Sequence, residues 1–148
     1  MALSRIEKMS HYGVVIIALS ALFVSIWQMS SMEEHNKLSV RPLLDFHIFT
    51  EDSIKNIRFS NEGLGPAIIK KMTFSKNGKS FNQAFALLKD LGHLDDISSS
   101  YNYSKNSVIS PGDNKLIVGL KELNEMGIKV EIVYESIYKE KFFLDFSF

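Results

Sequence analysis

The stretch "SNEGLGPAIIKKMTF", residues 60–74, sets Asn61, Gly63, Gly65 and Pro66 within six positions and then enters an apolar, β-branched run. Two fold classes use such glycines differently. Between a strand and a helix they cradle a phosphate against the helix N-terminus, whereas between two strands they turn the chain. The run after Pro66 reads as a strand, with Ile68, Met72 and Phe74 sharing a parity with Lys70. Gly63 and Gly65 permit positive φ, and Pro66 fixes φ and cannot donate to a ladder. The segment is therefore expected to be a structural corner of a β fold, and a phosphate site is disfavoured by its context.

Upstream, "PLLDFHIFT" alternates Leu44, Phe46 and Ile48 with Asp45 and His47, "EDS" reads as a turn, and "IKNIRFSN" sets Ile57 and Phe59 on one face. Downstream, Asn77 and Gly78 form a dipeptide suited to a type I′ turn, but no return strand is evident. Instead Ser80 and Gln83 stand in capping-box spacing, and Phe81, Phe85 and Leu88 recur at helical spacing before Gly92, which predicts a helix over 81–91. Residues 93–107 read as a long polar loop, in which Tyr101 and Tyr103 either offer rigid contact area with polar tips to a partner or fold back on the sandwich. "SPGD" is a type II turn candidate, and "KELNEMG" suits a turn of helix. Val130, Ile132 and Tyr134, then Phe142, Leu144, Phe146 and Phe148, alternate with polar residues as the arms of a hairpin. If Phe146 and Phe148 are core, the C-terminus is tied down; if exposed, they form an edge patch for a partner or for self-association. Six or seven strands and one short helix predict a mainly β domain, an antiparallel sandwich of immunoglobulin type.

The N-terminal region is of another kind. No charged residue or histidine occurs between His11 and Glu33, and the 21 residues 12–32, "YGVVIIALSALFVSIWQMSSM", would span about 30 Å as a helix. Tyr12 and Trp27 stand near the two ends, where amphipathic rings prefer the headgroup level. A cleavable signal peptide has a shorter apolar core and a small-x-small site, and "QMSSM" lacks that pattern. The expected organisation is a tail (1–11), a transmembrane helix (12–32), a linker (33–41) and a β-sandwich domain (42–148). Gly13, Ala21 and Ser25 are small residues in the anchor, the last two in small-xxx-small spacing suited to close helix approach. Arg5 and Lys8 precede the span and Lys37 and Arg41 come after it, a tie that the free amino terminus tips toward a cytoplasmic N-terminus and an extracytoplasmic domain. The reversed topology stays open.

"RPLLDF", "NEGLGPAIIKKM", "NGKSF", "SPGDNKLIVGL" and "VEIVYESIYKEKF" together resemble short bacterial single-pass membrane proteins of unknown function, which carry an N-x-G-x-G-P-A turn in an immunoglobulin-like sandwich. The resemblance covers residues 41–146 and implies a fold and a location in the cell (inner) membrane. It supplies no catalytic residue. Some such proteins are similar to accessory or effector components of phage-defence loci.

Composition narrows the function classes further. Seventeen basic and seventeen acidic residues cancel, which gives no footprint for nucleic acid. The absence of cysteine removes thiol chemistry and cysteine-based zinc sites. His11, His35, His47 and His93 are scattered; His47 with Asp45 could form a dyad, and His93, Asp95 and Asp96 could approach a cation, but neither pattern has companions. No enzyme, cofactor or metal is expected. The sequence predicts a membrane-anchored interaction module that contacts lipid and a protein partner or a second copy of itself. The alternative is an oligomerising membrane effector or phage-defence accessory protein, whose span perturbs the bilayer after the domain senses a signal.

Overall fold

The computed structural model describes residues 5–121 and 126–148, and the chain divides into two units between Leu38 and Ser39. The first unit holds α1 (Arg5–Ser39) up to Leu38, and within that helix Met9–Ser39 is long and apolar enough to cross a membrane and has none of its most apolar window buried. Ser20 Oγ donates to the Ile16 carbonyl (2.9 Å) and Ser25 Oγ to that of Ala21 (2.8 Å). Both hydroxyls are thus satisfied inside the helix, as an apolar solvent requires. The helix also runs beyond residues 12–32, taking in positions 5–11 of the expected tail and the expected linker as far as Ser39. Residues 33–39 contain no glycine or proline, and Glu33 pairs with Lys37 one turn on (2.7 Å), which favours continuation until Pro42 approaches.

The second unit contains β1 (Leu44–Glu51), β2 (Ile54–Asn61), β3 (Ala67–Lys76), β4 (Lys79–Phe81), α2 (Ala84–Asp90), β5 (Ile97–Ser100), β6 (Val108–Ile109), β7 (Asn114–Leu120), β8 (Lys129–Glu135) and β9 (Lys141–Ser147). It is a mainly β, two-sheet antiparallel sandwich. One sheet has the order β1-β2-β7-β5, and the other β4-β3-β8-β9 with β6 also on β3. Ile57, Phe59, Val118 and Leu120 from the first sheet share one buried core with Ile69, Phe74, Val130 and Ile132 from the second. Ala84, Leu87 and Leu88 of α2 join that core, and α2 touches β3, β4, β5 and β7, so it closes one side of the sandwich. On the other side Phe46 of β1 meets Phe146 of β9, and the Leu44 amide donates to the Tyr134 hydroxyl (3.3 Å) across the sheets.

Several expectations give way to tertiary context. In β3 the register passes from Ile69↔Tyr134 to Lys71↔Val133, leaving Lys70 as an extra residue. That bulge turns Ala67 and Ile69 inward together with Met72 and Phe74, so Ile68 does not share the inward face that simple alternation assigns it. A second bulge, between Ile57↔Val118 and Arg58↔Leu116, buries the adjacent Ile117 and Val118. Asn77 (φ 51°) and Gly78 (φ 78°) do lead into a return strand, the three-residue β4, because β3 supplies its ladder partners. The helix predicted over 81–91 is shortened to Ala84–Asp90, with Phe81 in a strand and no side-chain cap from Gln83. Part of the predicted polar loop is β5, whose serines pair with β7 although their side chains give no apolar signal. Of "KELNEMG", residues 122–125 lie outside the described residues.

Candidate interaction site

The glycine-rich corner is organised by one side chain. Asn61 ends β2 fully buried, and its amide uses its whole hydrogen-bonding capacity: Oδ1 accepts from the amides of Leu43 (3.1 Å) and Gly63 (3.1 Å), while Nδ2 donates to the carbonyls of Gly65 (2.8 Å) and Ile109 (3.0 Å). Its backbone amide donates to Asp113 (3.0 Å), and its carbonyl accepts from Gly112 (2.8 Å) in the "SPGD" turn. Gly112 has φ 77° there, and the Asp113 amide closes the turn on the Ser110 carbonyl (3.0 Å).

Gly63 and Gly65 are not at positive φ, contrary to the conformational reason expected for them. Their need for glycine is steric. A Cβ on Gly63 would strike the Arg41 carbonyl oxygen and the Leu43 amide nitrogen, and one on Gly65 would overlap the Val40 carbonyl. The turn folds directly over residues 40–43, with Glu62 N bonded to Leu43 O (2.8 Å) and Leu64 N to Arg41 O (3.1 Å). Its amides are therefore spent on the chain itself, and Pro66 has none to offer. This stretch is a clamp on the segment that leads into β1, and its geometry leaves no anion cradle.

The two loop tyrosines are placed differently. Tyr101 is 58% exposed, whereas Tyr103 turns back, its ring edge-on to Phe59 and its hydroxyl donating to the Leu116 carbonyl (2.7 Å). Burial, with a smaller contribution from Tyr101 and an opposing one from Arg58, pushes the Tyr103 phenol up to about 12. The neutral form is the one the fold favours. Its contribution to stability is whole below the ordinary phenol value near 10 and is lost as pH rises toward about 12. Tyr103→Phe is expected to cost about 1 kcal/mol at pH 8, and thermal melts should show the wild-type advantage shrinking by pH 11.

Phe146 is half-buried against Phe46 and Phe148, and Phe148 is 8% exposed, with its amide and carbonyl both bonded to Ile128. These two rings tie down the C-terminus and do not form the edge patch that was the other expectation for them. The exposed ring on this strand is Phe143, at 73%. Its place was legible in "KFFLDF": two adjacent phenylalanines in a strand cannot both face the core, and Phe142 shares the parity of Phe146 and Phe148, which sends Phe143 outward. In α1, Tyr12, Ala21, Ser25 and Trp27 are exposed and Gly13 is partly covered.

Chemistry-bearing groups remain dispersed. His47 Nε2 lies 2.7 Å from Ser60 Oγ, whose hydroxyl donates to Glu62, while Asp45 caps the amide of Phe46, so the His47–Asp45 pairing does not form. His93 Nδ1 is 2.8 Å from Asp96 Oδ2, and among the described residues no three His, Asp or Glu side chains gather as metal ligands. A cleft of about 360 Å³ beside β3 is lined by Lys70, Lys71, Lys105, Asn82 and Gln83. Lys70 is already held there by Glu135 (3.0 Å) and Asn106 (3.2 Å).

A scan against protein-family models finds no match to this chain, and a search of curated proteins finds none. Among solved structures, the archaeal flagellum of Methanospirillum hungatei strain JF1 is similar with a TM-score of 0.37 and 11% identity, over 98% of this chain and 93% of that one. A likeness at that level assigns this chain neither a detailed fold nor a function.

Proposed function

We propose that the protein is a membrane-anchored, non-catalytic interaction module, in which α1 holds the chain in the cell membrane and an immunoglobulin-like sandwich presents an edge to another protein. The observation that supports it is the apolar helix itself, its most apolar stretch unburied and with Ser20 and Ser25 satisfied inside it, joined to a domain that completes its own core. Surface of that kind is stable in lipid or against another apolar helix. In this reading the domain lies outside the cytoplasm, in keeping with Arg5, Lys8 and the amino terminus on the other side of the span. The resemblance of residues 41–146 to short bacterial single-pass proteins accords with a membrane location.

The test is retention of the full chain in membranes through an alkaline carbonate wash, and then crosslinking. The chain is expected to stay in the pellet, and Leu19→Arg with Phe23→Arg to release it, since each arginine costs about 3 kcal/mol at the centre of a span. Recovery of a wild-type chain that washes off, or of a processed domain lacking residues 1–32, would overturn the anchor. Self-crosslinked ladders that require α1 would instead favour the oligomerising effector.

A further inference from the structure

β9 carries complementary groups at mirror-related positions along an uncovered edge. It is the terminal strand of its sheet, and its pairing with β8 runs without a shift from Lys129↔Ser147 to Glu135↔Lys141. Ile128 and Phe148 exchange two hydrogen bonds (2.8 and 3.0 Å), which sets the phase of the ladder. By alternation, the backbone groups of Phe142, Leu144 and Phe146 point to β8, and those of Lys141, Phe143 and Asp145 point to the free edge. The side chains of the same three residues are exposed. Among the described residues neither Lys141 nor Asp145 forms a close ion pair, and the charge nearest in effect to Asp145 is that of Lys129 on the neighbouring strand.

We propose that β9 pairs antiparallel with β9 of a second copy of this chain, about a two-fold axis at Phe143. This rests on the reading of the domain as an interaction module and narrows its partner to a second copy. In that register Phe143 faces the partner's Phe143, and Lys141 faces the partner's Asp145 on both sides of the axis. All three positions carry edge-facing amides and carbonyls, so the register is also one that the backbone can bond. Sliding by two residues in either direction sets Phe143 against Lys141 or Asp145 and loses the Lys141–Asp145 match, leaving Asp145 at best opposite Lys139, which lies outside the strand. A second feature points the same way. Asp145 stands directly across from Glu131, a like-charge pair that Lys129 tempers through its 2.7 Å contact with Glu131. The partner's Lys141 would add a positive group on the open side of Asp145. Lysine on an edge normally deters strand addition, and here it would admit the one strand that carries its complement. The product is an isologous interface with the two four-strand paths β4-β3-β8-β9 merged into one continuous sheet.

Charge exchange on the full chain in detergent tests this by sedimentation equilibrium. Wild type is expected to be dimeric. Lys141→Asp and Asp145→Lys, each placing like charges opposite one another twice, should raise the dissociation constant roughly tenfold or more, and the double variant should restore it. Both side chains are exposed, and circular dichroism of each variant confirms an intact sandwich. A monomeric wild type, or a dimer indifferent to both single reversals, would overturn the proposal. The membrane retention of the same chains is read separately, so loss of self-pairing with retention intact leaves the anchored-module reading standing.

Discussion

Asn61→Ala is expected to destabilise the C-terminal unit by roughly 4 kcal/mol, a large part of the about 5–15 kcal/mol that holds an ordinary domain together. The substitution removes a fully buried amide and leaves four backbone groups without their partner: the amides of Leu43 and Gly63 and the carbonyls of Gly65 and Ile109. Each buried group so orphaned costs about 1–3 kcal/mol, and the sum is reduced by water entering the corner. Asn61→Asp separates hydrogen bonding from volume. It keeps the acceptor toward Leu43 and Gly63 but presents a second acceptor to two carbonyls and buries a charge, so it should be no more stable than alanine. Urea unfolding monitored by the far-ultraviolet signal of the sandwich checks both. A loss below about 1 kcal/mol in each, the size of one ordinary hydrogen bond, would show that the corner is not held by this side chain.

Gly65→Ala is expected to cost about 3 kcal/mol or more through overlap, since the added methyl meets the Val40 carbonyl and the atom that must yield is backbone. Gly78→Ala is the control. Gly78 has φ 78° with open space around it, so alanine there carries only the left-handed penalty of about 1–2 kcal/mol. The order of the two melting temperatures distinguishes a steric clamp from a conformational turn. If Gly65→Ala melts above Gly78→Ala, the close approach of residues 40–43 is not structurally demanding. Normal stability with selective loss of a partner would move the turn from corner to site.

The same corner shows what sequence reading reaches. That Asn61, Gly63, Gly65 and Pro66 break a strand and that a new strand begins after them was legible, because strand period and turn chemistry are local properties. Why the glycines are required was not. The residues they approach lie some twenty positions upstream, and no local pattern records that contact. Tyr103 and Phe148 likewise read equally well as exposed contacts or as core, and only their neighbours Phe59, Leu116 and Ile128 decide the matter. β4 and β5 were missed for a related reason: short polar strands derive their order from β3 and β7 beside them, and have little pattern of their own.

By itself the sequence determined an apolar N-terminal helix of membrane-spanning length and a C-terminal domain of alternating strands, since uninterrupted hydrophobicity and period-two alternation are written along the chain. Only the tertiary structure decided the order of strands in the two sheets, the bulges at Lys70 and Ile117 that reassign inward faces, and the position of β9 at an open edge. Those features depend on which distant segments supply hydrogen-bond partners and fill the core, a property of the assembled fold that no single stretch of residues carries.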